Sequence, residues 1–355
     1  MREVGTEEIA DIARGAGILG TGGGGDPYIG RLLAETAIER HGPVTLVTVD
    51  EVAPDAVVVP VAMLGAPTVS QEKLPNGTET LAALRALEEA TGVEATHLVP
   101  IEIGGMNSLI PLALAAETGL PVVDGDAMGR AFPEAQMVLP TLAGIPTSPM
   151  AVADDKGNTL VLRTVSNLWA ERIARAACVA TGCSVYTADT VMTGGQLADG
   201  LVAGTITLAG RLGAAARTAR AEHTDPATAV AELVGGVRLA TGKVVDVHRT
   251  TTGGFARGGA TIAGTDTELR LSFQNEYLLA ERDGEVVATT PDLICVLETD
   301  TGEPVTTESM RYGNRVTVLG IPGDPRWRTP AGLEIVGPRY FGYQSDYQPL
   351  PDRQV

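Results

Sequence analysis

The amino-acid sequence predicts an α/β protein of two domains: an N-terminal parallel α/β (Rossmann-like) domain over residues 1–166, and a C-terminal β-rich domain with linking helices over residues 167–355. Three observations support this prediction. The chain has 355 residues, whereas ordinary domains have about 100–200. Candidate helices and strands alternate in the first half, which is typical of parallel pairing. Short β-like runs separated by Gly, Asp and Pro follow one another in the last third.

The N-terminal half begins with two predicted helices on either side of a glycine loop. Residues 6–14 predict a short helix that ends at Gly15, and the loop spans 20–25. Asp26 and Pro27 predict the start of the second helix, because Asp is a favoured N-cap and Pro is tolerated in the first turn. That helix is expected to end near His41. Further helices are predicted at 78–90 and 108–118, and strands at 44–49, 56–62, 97–101 and 121–123.

The C-terminal half predicts two helices followed by strands. A helix is expected at 167–181, and a second at 198–221, where the run Thr205-Ile206-Thr207 weakens the helical pattern. From Gly236 onward the pattern is that of a β-rich domain. The predicted strands are 243–250, 259–264, 268–274, 286–290, 293–298 and 315–320.

Composition excludes several classes of protein. Asp and Glu number 44 and Lys and Arg 26, which gives a net charge of −18 and argues against a nucleic-acid partner. An apolar fraction of 44% argues against wholesale disorder. No stretch reaches the roughly 18 apolar residues of a membrane helix, so no membrane partner is expected. The acidic first residues lack an apolar run, and we expect a cytoplasmic protein.

Acidic side chains follow three of the predicted strands at the edge where parallel sheets bind ligands. Glu72 follows the strand at 56–62, and Glu102 follows the strand at 97–101. Asp124, Asp126, Arg130 and Glu134 follow the strand at 121–123. For each acid taken alone, a solvated loop charge or a helix cap remains the alternative. The convergence of three loops favours a site for proton transfer or for a metal.

The glycine loop has two open functional interpretations. Its backbone N–H groups can hold an anion or a substrate amide, or the loop can be a structural turn. It lacks the Gly-Lys-Ser/Thr ending of a Walker loop, no clear strand precedes it, and Asp26 places negative charge where a phosphate would lie. We therefore expect neither a nicotinamide nor a flavin cofactor.

A divalent metal, with zinc as the expected ion, is a second possibility. His97 begins a predicted strand and, with Asp124 and Glu72, forms the candidate ligand set, although a hydrogen-bonded core histidine is the simpler alternative. Further along, Gln274-Asn275-Glu276 places three polar residues between apolar runs. This segment predicts either polar contacts in an interdomain cleft or a hairpin turn.

Five motifs taken in order resemble one known family. They are Gly20-Thr21-Gly22-Gly23-Gly24-Gly25-Asp26-Pro27, Glu102-Ile103-Gly104-Gly105-Met106-Asn107-Ser108, Asp126-Ala127-Met128-Gly129-Arg130-Ala131-Phe132-Pro133-Glu134, Gln274-Asn275-Glu276 and Pro291-Asp292-Leu293-Ile294. The chain resembles the DUF917 family, also called the S-methyl thiohydantoin desulfurase family, over nearly its whole length. The resemblance implies an N-terminal α/β domain, a C-terminal β-rich domain, and hydrolytic removal of sulfur from a thiohydantoin ring. It also implies an association with hydantoinase or oxoprolinase systems.

On this basis we expect a hydrolase of a hydantoin-like ring, in which water attacks the ring carbon and a thiol leaves. The candidate catalytic residues are Asp126, Glu102, Glu134 and Arg130. The candidate substrate-binding residues are Gly22, Gly23, Gly24, Gly25, Asp26, Asn107, Ser108, Gln274, Asn275 and Glu276. The alternatives are a nucleotide-binding protein and a non-catalytic partner subunit of a hydantoinase or oxoprolinase. A homo-oligomer is also expected.

Overall fold

The fold was examined in a computed structural model that describes residues 1–66, 69, 73–265 and 267–350. Two β-sheets organise these residues, and helices cover the first sheet. The predicted fold class, α/β with two domains, is confirmed. Within the described part of the chain, no helix is long and apolar enough to cross a membrane.

The first sheet contains nine strands among the described residues, eight of them in the order β1-β2-β5-β4-β3-β9-β7-β8, with β10 pairing with β3. The strands that carry the parallel core are β2 (Val44–Val47), β3 (Val57–Gly65), β4 (His97–Pro100) and β5 (Val122–Val123). The others are β1 (Arg2–Val4), β7 (Met150–Ala153), β8 (Thr159–Leu162), β9 (Ser184–Ala188) and β10 (Met192–Thr193).

Parallel pairing holds for β2 with β5, β5 with β4, and β4 with β3, as the sequence predicted. The sheet as a whole is mixed, because β9 joins β3 antiparallel and β7 and β8 extend that side. The sequence analysis missed these four- and five-residue strands. The first sheet therefore continues well beyond residue 166. Its central strand, β3, is buried on both faces, so its apolar run carries no alternation.

The helices are α1 (Thr6–Leu19), α2 (Pro27–His41), α3 (Glu79–Thr91), α4 (Ile110–Thr118), α5 (Leu139–Leu142), α6 (Asn167–Ala180), α7 (Leu197–Gly200), α8 (Thr205–Ala221), α9 (Pro226–Val234) and α10 (Pro330–Val336). The predicted helix at 198–221 is interrupted: α7 and α8 are separated by β11 (Val202–Ala203), which pairs with β6 (Gly125–Asp126). Strand β6 thereby fixes the backbone of Asp126.

Helix α1 is longer than the sequence predicted, because Gly15 does not end it. A Cβ at Gly15 would lie 1.8 Å from the carbonyl oxygen of Ala209 in α8, and one at Gly213 would lie 1.9 Å from the carbonyl oxygen of Asp11. These glycines let two helices approach at backbone distance. Gly15 is a packing residue, and the prediction of a helix end there was wrong.

The second sheet is antiparallel, with seven strands in the described residues in the order β16-β15-β14-β13-β12-β18-β17. The strands are β12 (Val237–Thr252), β13 (Phe255–Ala263), β14 (Glu268–Gln274), β15 (Glu276–Arg282), β16 (Glu285–Thr289), β17 (Leu293–Glu298) and β18 (Arg315–Ile321). Asn275 turns the chain between β14 and β15 with a φ of 58°, a backbone conformation in which Asn is enriched. This turn is buried. The segment Gln274-Asn275-Glu276 is a hairpin turn, and two of its residues, Asn275 and Glu276, line a cavity.

Candidate active site between the two sheets

A cavity lies where the carboxyl ends of β3 and β4 meet the turn between β14 and β15. Its empty space is about 570 Å³, counted to its open mouth. The first sheet contributes residues from β3, β9 and the segment after β4, and α6 and the glycine loop close two sides. The polar lining residues are Glu102, Asn107, Glu134, Arg175, Thr187, Asp189, Asn275 and Glu276. The apolar walls include Met63, Leu64, Met128 and Phe132.

Glu102 is buried in this cavity and held by two donors. Its Oε1 accepts a hydrogen bond from Asn107 Nδ2 at 2.6 Å, and its Oε2 accepts one from the backbone N–H of Phe132 at 3.3 Å. Asn107 is itself fixed, because its side chain bonds both the N–H and the carbonyl of Met63. Burial raises the pKa of Glu102 to about 8 despite these donors. The site therefore holds a carboxyl group that titrates near neutral pH.

Glu276, the first residue of β15, is buried and lines the same cavity. Its Oε2 has no hydrogen-bond partner among the described residues. The carboxyl group lies against the glycine loop, where a Cβ at Gly23 would be 1.9 Å from Glu276 Oε1. Burial raises the pKa of Glu276 well above its usual value, and the nearby charge of Glu102 raises it further. Burial thus favours the neutral form of Glu276, as it does that of Glu102.

Two charged side chains that the sequence analysis missed also line the cavity. Arg175 in α6 donates from Nε to Glu171 at 2.7 Å and from Nη2 to the carbonyl of Pro133 at 3.0 Å, while its Nη1 has no partner within the described chain. Asp189 follows β9, and burial raises its pKa to about 6. The i,i+4 pair of Glu171 and Arg175 on one helix face was a usable signal for the first. Asp189 lay beyond a strand that the pattern did not predict.

The glycine loop serves both the cavity and the fold. The backbone N–H of Asn107 donates to the carbonyl of Gly24 at 3.1 Å, and a Cβ at Gly105 would lie 2.0 Å from the carbonyl oxygen of Gly25. Gly24 and Gly25 line the cavity, and their N–H groups donate to no described residue. Because the loop faces Glu276 and Glu102, the geometry suits a neutral ligand better than a phosphate.

The remaining predicted substrate-binding residues have positions that belong to the fold. The carbonyl of Gly22 accepts a hydrogen bond from the N–H of Thr307 at 3.0 Å, which ties the loop to the second sheet. Asp26 caps α2 by accepting from the N–H of Tyr28 at 2.8 Å. The hydroxyl of Ser108 donates to the carbonyl of Gly105. Gln274 is buried beside the turn and is not part of the cavity lining.

The loop after β5 carries Asp124 and Asp126, whose carboxylates serve the backbone. Oδ2 of Asp126 accepts hydrogen bonds from the N–H groups of Ile103, Met128 and Gly129, at 2.7–3.0 Å. Asp124 accepts from Ile206 and Thr207 at the start of α8 and so caps that helix. Neither side chain lines the cavity.

Arg130 and Glu134 have different positions along the same loop. Arg130 is fully buried, and its guanidinium donates to the carbonyl of Asp292 at 2.8 Å and to Thr21 Oγ1 at 2.8 Å, joining the two sheets away from the cavity lining. Glu134 lies at the cavity, where its Oε2 accepts from Tyr340 Oη at 2.7 Å and from Gln136 Nε2 at 2.5 Å. Of the four predicted catalytic residues, Glu102 and Glu134 lie at the cavity.

The two predicted zinc ligands that the structure describes, His97 and Asp124, are not brought together. His97 lies at the amino end of β4, the end opposite Glu102, and its ring is hydrogen-bonded to Thr96 Oγ1 at 2.8 Å. Burial lowers the pKa of His97. Asp124 caps α8, and Glu72 lies outside the described residues. Over residues 1–66, 69, 73–265 and 267–350, no group of three His, Cys, Asp or Glu side chains is placed to hold a metal ion.

The fold and the cavity define a two-domain α/β protein that gathers buried carboxyl groups between its sheets. Family models match both halves of the chain: the S-Me-THD-like N-terminal domain over residues 7–164 and the S-Me-THD-like C-terminal domain over residues 165–350. The protein belongs to the S-Me-THD-like family, as the sequence resemblance indicated.

A solved structure shares this fold. The crystal structure of a protein from Chromobacterium violaceum aligns with a TM-score of 0.81 at 23% identity, over 99% of this chain and 100% of that one. At this identity the likeness shows the fold alone. No curated protein matches the sequence.

Proposed function

We propose that the protein is a hydrolase that removes sulfur from a neutral five-membered ring of the S-methyl thiohydantoin class. The observation that carries the proposal is the pair of buried carboxyl groups, Glu102 and Glu276, that line one cavity. Two carboxyl groups whose environments give them different proton affinities commonly act as general acid and general base. Membership of the S-Me-THD-like family supports this choice of ring.

The two carboxyls receive different roles from their surroundings. Glu102 accepts hydrogen bonds from Asn107 and from the N–H of Phe132, and these donors stabilise its ionised form. Glu276 has an unpartnered oxygen and no hydrogen-bond donor from another described residue that would stabilise its ionised form, and burial raises its pKa well above the usual value. As pH rises, the pair therefore gives up its first proton from Glu102. Glu102 is the base and Glu276 is the acid.

The reaction balances with one water and these two groups. Glu102 takes a proton from water as the water oxygen bonds to the ring carbon, and Glu276 gives its proton to the ring nitrogen of the C=N bond. The carbon–sulfur bond then breaks: Glu102 returns its proton to the departing sulfur, and Glu276 takes the hydroxyl proton as the carbonyl forms. The products are the hydantoin ring and methanethiol, and both carboxyls return to their starting state.

The rest of the cavity suits such a ligand. The N–H groups of Gly24 and Gly25 and the Nη1 of Arg175 are donors without described acceptors, which can bind a ring oxygen. Met63, Met128 and Phe132 supply polarizable, apolar surface for a methylthio group. The described residues do not fit a zinc site, because no group of three His, Cys, Asp or Glu side chains among them is placed to hold a metal ion.

The test is incubation with S-methyl thiohydantoin, with detection of free methanethiol and a metal analysis of the same preparation. We expect thiol release that rises with pH toward about 8, following the pKa of Glu102, and equal release with and without a chelator. No thiol release at high protein concentration would refute the proposal. Release that is abolished by the chelator would refute the metal-free mechanism and restore the zinc prediction.

A further inference from the structure

We infer that Asp189 is the acceptor for the ring N–H of the substrate and that Thr190 positions it, so that the site selects rings with an unsubstituted N–H. The inference rests on the proposed function for its ligand class. It assigns a specificity role to two adjacent residues that no motif of the sequence indicated.

Asp189 is placed to meet a ligand. It follows β9 directly, and its backbone N–H donates to the carbonyl of Pro60 in β3 at 3.3 Å. Thr187 and Asp189 are two residues apart and both line the cavity, as the period of an extended chain requires. Asp189 is only 3% exposed, so its carboxyl group meets the cavity and little bulk solvent.

The carboxyl group of Asp189 has spare acceptor capacity. Oδ1 accepts a hydrogen bond from Thr190 Oγ1 at 2.6 Å, and among the described residues no lysine or arginine forms an ion pair with Asp189. A carboxylate accepts about four hydrogen bonds, and a buried one is costly when they are not supplied. Burial raises the pKa of Asp189 only to about 6, so at neutral pH it is the ionised acceptor beside the more neutral Glu102 and Glu276.

Thr190 holds this arrangement at a conformational cost. It is fully buried with a φ of 49°, a backbone region in which β-branched residues are outliers. Such strain persists only where surrounding contacts enforce it, and it concentrates at functional sites. Here the contacts are its N–H to the carbonyl of Thr147 at 3.2 Å and its hydroxyl to Asp189. The Thr190 hydroxyl and a hydrogen bond from the Thr187 side chain together use two of the roughly four acceptor positions of the carboxylate.

A ring N–H is the donor that fits this acceptor. Within the described residues no cluster of metal-binding side chains includes Asp189. A neutral N–H satisfies a carboxylate without adding a charge to a cavity that is already lined by Arg175, which is paired with Glu171. In S-methyl thiohydantoin, one ring nitrogen belongs to the reacting C=N bond and the other carries hydrogen. Asp189 would bind the second nitrogen while Glu276 protonates the first.

The experiment compares rings with N–H and with N-methyl at that nitrogen, in the wild-type protein and in Asp189→Asn and Asp189→Ala. Binding of hydantoin and its N-methyl derivative is measured by calorimetry, and thiol release from the two S-methyl thiohydantoins is measured in parallel. A site built for a polar hydrogen rejects the analogue that lacks it, so we expect wild-type discrimination of about 30-fold or more, falling below about 5-fold in Asp189→Ala. Unchanged discrimination in that variant would overturn the inference.

Thr190 gives a second, independent measurement. Thr190→Ser keeps the hydroxyl and should bind hydantoin like the wild type, whereas Thr190→Val removes the hydroxyl at nearly constant shape and should bind about 3- to 10-fold more weakly. If Asp189→Ala fails to fold, this pair tests the same hydrogen bond, and equal binding by both variants would overturn the positioning role. Hydantoin binding without thiol release would refute the proposed function while leaving the binding roles of Asp189 and Thr190 open to this same test.

Discussion

Two neighbouring regions bury carboxyl groups: the loop after β5, and the cavity between the two sheets. In the loop after β5, Asp124 and Asp126 together accept six hydrogen bonds, five from backbone N–H groups and one from the Thr207 hydroxyl. In the cavity, Glu276 has an unpartnered oxygen, and the pKa of Glu102 is raised to about 8. Neither property is confined to the cavity, because Oδ1 of Asp126 also has no partner among the described residues and burial raises the pKa of Asp126 to about 7. Access to the cavity separates the two regions, because Glu102 and Glu276 line it whereas Asp124 and Asp126 do not.

The strongest test of the difference between the two regions is to replace one carboxyl group in each by the amide of the same shape. Glu102→Gln removes the proposed base and should lower the rate of thiol release by about 10²- to 10⁴-fold. Asp126→Asn is the matched control: its amide oxygen can still accept from Ile103, Met128 and Gly129, so we expect activity within about 3-fold of the wild type. Steady-state kinetics of thiol release by both variants measures the two effects. A larger loss in Asp126→Asn than in Glu102→Gln would reverse the assignment of roles.

The same Glu102 variant tests the electrostatics through stability. Because burial raises the folded-state pKa of Glu102 from 4.5 to about 8, the folded protein holds this proton between those values while the unfolded chain releases it. The contribution of Glu102 to the free energy of unfolding therefore falls as pH rises from about 5 to 8. Denaturant unfolding at several pH values should show a shallower fall for Glu102→Gln. Identical pH slopes in the two proteins would mean that Glu102 is not proton-bound at pH 7.

Gly23 lies in the glycine loop against Glu276. Its substitution by Ala should have the next largest effect on the rate of thiol release. A Cβ there would lie 1.9 Å from Glu276 Oε1, so Gly23→Ala must displace the proposed acid. We expect a rate loss of about 10²-fold from misplacement and destabilisation by about 1–3 kcal/mol from overpacking. Gly195→Ala is the control, because its nearest neighbour would be at 3.6 Å and neither glycine has a positive φ.

Combining Gly23→Ala with Glu276→Ala distinguishes the steric effect of the methyl group on stability from the loss of the proposed acid. The double variant Gly23→Ala/Glu276→Ala should regain most of the stability lost in Gly23→Ala, because the clashing carboxyl is gone, but it should stay inactive. Calorimetric unfolding and the thiol assay measure the two effects separately. Stability that stays as low as in Gly23→Ala would show that the backbone, not Glu276, excludes the methyl group.

The sequence predicted the parts of this molecule that are local in the chain. The helix start at Asp26 and Pro27 was correct, because N-capping depends on two adjacent residues. Glu102, Asn107 and Glu276 were predicted as site residues and do line the cavity, since strand ends and polar turns are visible in the pattern. Gly15 was mistaken for a helix end, because its role depends on α8, nearly two hundred residues away.

The remainder of the site depends on contacts that no local pattern contains. Asp126 and Glu102 look alike in sequence, as acids after apolar strands, and only the folded chain separates them, because Glu102 lines the cavity and Asp126 does not. Asp189 follows β9, whose five residues are too few for a clear period. The predicted zinc ligand His97 was placed on the right strand, but at the end that faces away from Glu102.

Glu134 is the intermediate case, and it provides the smallest and most discriminating prediction. It lines the cavity like Glu102, yet its Oε2 is supplied with donors by Tyr340 and Gln136, like the carboxylates of the other region. Tyr340→Phe removes one donor from a partly exposed pair and should cost about 0.5–1 kcal/mol of stability, with thiol release within about 3-fold of the wild type. The proposed mechanism assigns no proton transfer to Glu134, so Glu134→Gln should be equally mild. A loss of activity as large as that of Glu102→Gln would contradict this assignment, and Glu134 would then regain its predicted catalytic role.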